Sequence, residues 1–131
     1  MNETGSYEDE ILETFSRRRL HLVPGSTNGR YGVDMLAAIA MMGDPDAVYE
    51  GDVFVFCHKS ARQIRFLVWD DRGYWLITRK IYSGAFVWPE RKDDQSMVDA
   101  SVRLVRTLLR SPGSDRKTVE EMCSGRLLKT V

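Results

Sequence analysis

Residues 51–89 read GDVFVFCHKSARQIRFLVWDDRGYWLITRKIYSGAFVWP, and this stretch decides the fold. β-Branched and aromatic residues crowd four short runs, separated by turn formers at Lys59-Ser60, Asp70-Asp71-Arg72-Gly73 and Ser83-Gly84. Runs this closely spaced predict four successive strands in an antiparallel meander, because parallel neighbours need a crossover of about a dozen residues. If Asp70 pairs with Gly73 over a two-residue turn, Trp69 faces Tyr74, Leu67 faces Leu76, Arg65 faces Thr78 and Gln63 faces Lys80. Strand geometry puts all of these on one side of the sheet. The other side then carries Val68 with Trp75, Phe66 with Ile77, and Ile64 with Arg79; being the more apolar, it is expected to face the core. A bulged turn would shift one strand and scramble this division.

Upstream, Tyr7 to Phe15 suits a short acidic helix with Ile11, Leu12 and Phe15 on one side, and residues 1–6 read as disordered. Arg18 to Val23 predicts a first strand, broken by Pro24-Gly25-Ser26. A helix follows from about Thr27 to Met42, capped by Thr27 or Asn28, with Val33, Leu36, Ala37, Ala40 and Met41 as its apolar stripe. Gly43-Asp44-Pro45-Asp46 stops it. Downstream, Pro89 closes the last strand and Ser96 to Arg110 is the strongest helical pattern, with Val98, Val102, Val105 and Leu109 in line. Ser111-Pro112-Gly113 ends that helix. Ser114 begins a short final one through Cys123, and Gly125–Val131 reads as a loose tail.

The class is therefore α+β: an antiparallel meander sheet of four to five strands with helices on at least one face. At 131 residues the chain reads as one domain. Within it, 1–16 is an acidic N-terminal extension, 17–89 a helix-plus-sheet core, and 96–124 the C-terminal helices.

Charge is balanced overall, at 19 basic and 19 acidic residues, but unevenly spread. Residues 1–15 hold five acids and no base, whereas residues 53–92 hold eight Lys or Arg against three acids. A basic sheet of this kind can attract an acidic partner locally, although a solvated surface explains scattered charge equally simply. Two cysteines cannot form a disulfide scaffold, and the acidic N-terminus has no signal-peptide character, so a reducing cytoplasmic setting is expected. The longest apolar run, Met35–Met42, is too short to span a membrane.

No catalytic constellation stands out. Cys57 and His58 are adjacent and would point to opposite faces of a strand, and His21 and Cys123 show no zinc-ligand spacing. A GxSxG elbow and a Gly-rich phosphate loop are both lacking. Asp70 and Asp71 are explained by the hairpin turn. No catalytic residue, metal or cofactor is predicted, and no small-molecule substrate is evident.

The hairpin face mixing Trp69, Tyr74, Arg65 and Lys80 has a composition that can stack bases and neutralise phosphates. It could equally cover a second hydrophobic layer beneath a helix. A further basic stripe, Arg103, Arg106 and Arg110, shares one face of the C-terminal helix with Asp99. Either that stripe grips phosphate or it is simply the wet side of the helix. Arg17-Arg18-Arg19 is ambiguous in the same way.

Two blocks of residues carry a family resemblance. The first is Thr27-Asn28-Gly29-Arg30-Tyr31-Gly32-Val33-Asp34-Met35-Leu36-Ala37, in which Thr27, Arg30, Gly32, Asp34 and Leu36 agree with the family pattern. The second combines Gly51, Phe54-Val55-Phe56, Arg65 to Asp70, Gly73-Tyr74, Arg79-Lys80-Ile81, Gly84, Phe86 and Trp88-Pro89. Together these resemble the small accessory protein, often labelled TnpB, encoded by the second reading frame of bacterial insertion sequences of the "sixty-six" group. Asn28, Tyr31 and Cys57-His58 depart from the family pattern. The resemblance implies a non-catalytic accessory role in DNA transposition beside a larger transposase, with the element's DNA or that transposase as partner. On that basis Arg30, Arg65, Arg79 and Lys80 are the expected cationic contacts and Trp69 and Tyr74 the stacking residues. A protein–protein module that touches no DNA is the alternative.

Overall fold

A computed structural model describes residues 4–92, 96–111 and 116–123. The chain runs α1 (Thr4–Phe15), β1 (Leu20–Thr27), α2 (Val33–Gly43), α3 (Pro45–Tyr49), β2 (Val53–His58), β3 (Gln63–Trp69), β4 (Tyr74–Lys80), β5 (Val98–Ala100), α4 (Val102–Leu109) and α5 (Arg116–Cys123). The α+β class holds, with helices on both faces of a five-stranded sheet ordered β4-β3-β2-β1-β5.

The sheet is mixed rather than a pure meander. β2, β3 and β4 form the expected antiparallel run, but β1 lies parallel to β2. The segment between β1 and β2 holds α2 and α3, which is the long crossover a parallel pair requires. The run Ala85–Trp88, expected as a fourth strand of the meander, joins no ladder. Phe86 and Trp88 are instead plugged into the core, and the Trp88 indole N–H donates to the Val23 carbonyl at 2.9 Å. The fifth strand comes from Val98–Ala100, where the helical pattern is read from Ser96 onward; these residues pair antiparallel with Leu20–Leu22. Ser101 is the true cap of α4, accepting from the Leu104 N–H at 3.0 Å.

β1 also runs further than its breakers suggest. Pairing with β2 resumes at Ser26↔Cys57 after a register shift that absorbs Pro24 and Gly25. Gly25 takes φ +80°, which a bulge of this kind asks of a glycine. Pro24 is tolerated because the pairing of β1 with β5 ends at Leu22, so the missing N–H costs no ladder bond there. α2 consequently starts at Val33, not near Thr27. Its stop signal starts the next helix at once: Asp44 caps α3 by accepting from the Ala47 N–H, with Pro45 in the first turn. At the N-terminus α1 begins at Thr4, inside the stretch read as disordered; residues 1–3 and the expected loose tail lie outside the described residues.

Two apolar layers sandwich the sheet. On one face Val53, Val55, Ile64, Phe66 and Val68 meet Leu12 and Phe15 of α1, Leu104, Val105 and Leu108 of α4, and Val119 and Met122 of α5. On the other, Phe54, Phe56 and Leu67 meet Leu36, Ala37 and Ala40 of α2 and Ala47 and Val48 of α3. Central strands buried on both sides explain the near-continuous apolar run of β2.

Candidate nucleic-acid interface

The hairpin register matches the sequence expectation residue for residue, from Trp69↔Tyr74 to Gln63↔Lys80. Asp71 adopts φ +79° at the first position of the two-residue loop, and the Asp70 N–H donates to the Gly73 carbonyl at 3.1 Å. Correct register did not leave the aromatic half of that face open. Trp69, Tyr74 and Leu76 pack against the α2–α3 layer, and Trp69 meets Tyr49 edge-on at a centroid distance of 5.6 Å and Tyr74 at 5.1 Å. Both rings are only partly exposed. The opposite face is core-like at Ile64, Phe66 and Val68, whereas Trp75 and Arg79 reach solvent because β4 is the sheet's edge.

The cationic end of the hairpin is arranged differently. Arg65 donates from Nη1 to the Tyr31 carbonyl at 2.6 Å and from Nη2 to the Gly29 carbonyl at 3.3 Å, tying the loop ahead of α2 to the sheet. The chain passes close to β2 there: a Cβ at Gly29 would meet the His58 imidazole, which would have to shift to make room. That loop presents Arg30 to solvent, with its backbone N–H held by the Asn28 side chain at 2.9 Å. Lys80 is exposed on the same face, over the ring of Tyr82 at 5.1 Å. Lys59 and Arg62 are exposed in the β2–β3 turn at this same end.

Among the described residues none of Arg30, Lys59, Arg62, Arg79 and Lys80 forms an ion pair. His58 registers the local field: its pKa is lowered by burial first, then by the charges of Arg65 and Lys80. Arg30, Arg65 and Lys80 are thus brought together with His58, Lys59 and Arg62. Trp69 and Tyr74 sit at the far end of the hairpin, about 13 Å from Arg65 and about 20 Å from Lys80 along the strands. Arg79 lies on the opposite face, lining a groove with Tyr7, Ile11 and Ile77.

The α4 stripe contrasts with this end. Arg106 is bound by Asp9 and Glu8, and Arg110 by Glu8 at 2.8 Å, so the acidic α1 neutralises these two inside the chain, while Arg103 is exposed and in no ion pair among the described residues. Arg18 is likewise occupied, donating to the Gly51 carbonyl at 2.8 Å. Lys59, Arg62 and His58 lay outside the expected contacts; their place in one turn at the same strand ends as Lys80 was the available signal.

One polar pair was not anticipated at all. His21 Nε2 lies 2.7 Å from Asp52 Oδ2, both buried, with the imidazole stacked on Phe54 and its Nδ1 3.5 Å from Asp99. It links β1, the start of β2 and β5, with no hydroxyl or thiol bonded to it among the described residues. The Cys57 thiol is pushed up to about 12 and the Cys123 thiol to about 11, both chiefly by burial, so neither is a thiolate at neutral pH. No group of three or more metal-ligating side chains occurs among the described residues. Nor is any helix among them long and apolar enough to cross a membrane.

These features define a small α+β domain with a sheet enclosed by helices and a cationic patch at one end. The chain belongs to the family described as IS66 Orf2 like protein, whose profile matches residues 18–118. Over 65 residues it is 38% identical to the uncharacterized protein y4jC of Sinorhizobium fredii (strain NBRC 101917 / NGR234), covering 50% of this chain and 53% of that protein. The chain therefore spans about half the length of the curated relative it matches. No solved structure matches it.

Proposed function

We propose that this protein is a non-catalytic accessory factor of DNA transposition that holds the element's DNA by its phosphate backbone. The cationic end of the sheet makes the contact. The observation that carries this reading is a clustering of charge: Arg30, Lys59, Arg62 and Lys80 share one end of the sheet and, among the described residues, form no ion pair, whereas Arg106 and Arg110 of α4 are matched by Glu8 and Asp9. Arg65 is the tether that sets the Arg30 loop beside Lys80, and Arg79 adds charge from the other face. Trp69 and Tyr74 shape the sheet beneath the α2–α3 layer, so base stacking contributes little and the grip is indifferent to base sequence.

Titration of a fluorescent duplex of an element end at two salt concentrations tests this. Binding should weaken steeply with salt, because phosphate contacts release counterions. Reversing Arg62 and Lys80 to Glu should abolish it, whereas Arg110→Gln on α4, where Glu8 already neutralises the charge, should leave it near the wild-type level. Absence of binding at low salt, together with transposase co-purification that survives nuclease, would replace DNA with the transposase as the partner.

A further inference from the structure

The sheet has two edges, and they are treated differently. β5 is three residues long, short enough to blunt that edge. β4 is a seven-residue edge strand in unbroken register with β3, free of proline and bulge, and no strand among the described residues covers its outer side. Such an edge exposes a row of backbone donors and acceptors.

Which groups point outward follows from the ladder. The Asp70 N–H bonds to the Gly73 carbonyl and the Ile81 N–H to the Arg62 carbonyl, so hydrogen-bonded pairs with β3 fall at Trp75, Ile77 and Arg79. Tyr74, Leu76, Thr78 and Lys80 accordingly turn their N–H and C=O groups to the free edge. We infer that this edge pairs with the β4 edge of a second copy of the chain, antiparallel about a two-fold axis at Ile77.

The side chains are self-complementary in that register. Tyr74 falls opposite Lys80 of the other copy, Leu76 opposite Thr78, Trp75 opposite Arg79, and Ile77 opposite itself. The first two pairings join the outward-facing residues, as a new antiparallel ladder needs. Both aromatic residues then meet a cation, and the central isoleucines meet at the close spacing of a non-hydrogen-bonded pair. Trp75 is suited to this: 60% of its surface is exposed, yet its indole N–H is pinned to Asp70 at 2.6 Å. Moving the axis to Leu76 would set Lys80 against Arg72, like against like. Moving it to Thr78 would set Lys80 against Leu76 and Arg79 against Ile77, taking both cations off their rings. Only the Ile77 axis uses all seven residues.

Sedimentation of the full chain over a concentration series tests the pairing, independently of any DNA binding. The wild-type protein should approach twice the 15.0 kDa chain mass as concentration rises. Thr78→Pro removes an outward N–H without touching the β3 ladder and should weaken self-association on the order of tenfold or more. Trp75→Arg should abolish it by facing Arg79, whereas Trp75→Glu, facing the same arginine, should retain it. The Trp75 pair decides the matter even if circular dichroism shows that Thr78→Pro disturbs the fold. A wild-type chain that stays monomeric to its solubility limit overturns the inference. So does a dimer indifferent to Trp75→Arg.

Discussion

Arg65 Nη1 donates to the Tyr31 carbonyl at 2.6 Å, a bond between the middle of β3 and the loop entering α2. It makes one guanidinium both a part of the cationic end and the strut that positions Arg30. Hydrogen bonds from charged donors contribute about 1.5–3 kcal/mol each. Arg65→Ala should therefore lower unfolding stability by about that much and speed amide exchange in residues 28–32. Arg65→Lys should recover only part of it, since an ammonium cannot span two carbonyls as the planar fork does.

The His21–Asp52 pair should behave as a structural lock. Asp52→Ala leaves a buried imidazole nitrogen without its partner, which costs about 1–3 kcal/mol. Urea titration should show the midpoint falling with the slope preserved, and no loss of DNA binding at temperatures where the variant is folded.

Alkaline pH should destabilise the protein through Cys57. Its thiol ionises at 9.0 when unfolded and at about 12 when folded, so its contribution is intact below pH 9. Between pH 9 and 12 the unfolded chain binds fewer protons, and stability falls by about 1.4 kcal/mol per pH unit for that one group. Thermal melts under reducing conditions should show a steeper alkaline decline for the wild type than for Cys57→Ala.

α1 should be held mainly by its apolar side. Leu12→Ala opens a hole in a fully buried site and should cost about 2–5 kcal/mol. Glu8→Gln breaks ion pairs to Arg106 and Arg110 at the surface and should cost less than about 1 kcal/mol. Combined with Asp9→Asn it unmasks the α4 arginines, and non-specific DNA affinity at low salt should rise.

His58 supplies a local probe of the proposed interface. Burial and the charges of Arg65 and Lys80 hold its pKa below 6.5 in the free protein. A bound phosphate backbone would offset those charges and favour the imidazolium. NMR titration of the His58 ring should then show the pKa rising on addition of duplex.

Local chemistry made the hairpin readable: alternation along residues 63–80 and the Asp70–Gly73 turn set its register, and turn and strand agree within a few residues of chain. The start of α2 was less legible. Pro24-Gly25-Ser26 reads as a break, yet β1 carries a bulge through it because β2 supplies partners from 31 residues further along. Val98–Ala100 reads as helix by its spacing, but β1 offers those residues an open edge and Ser101 a better cap.

The same division governs the surface. Composition and alternation along the chain were enough to establish an α+β sheet with rings and cations sharing one side of a hairpin, because those depend on neighbours close in sequence. Whether the side was bare or covered depended on α2 and α3 crossing over it, and which arginines stayed uncompensated depended on α1 docking against α4. Both are contacts between distant segments, chosen by the burial of whole apolar faces, and no local pattern carries that information.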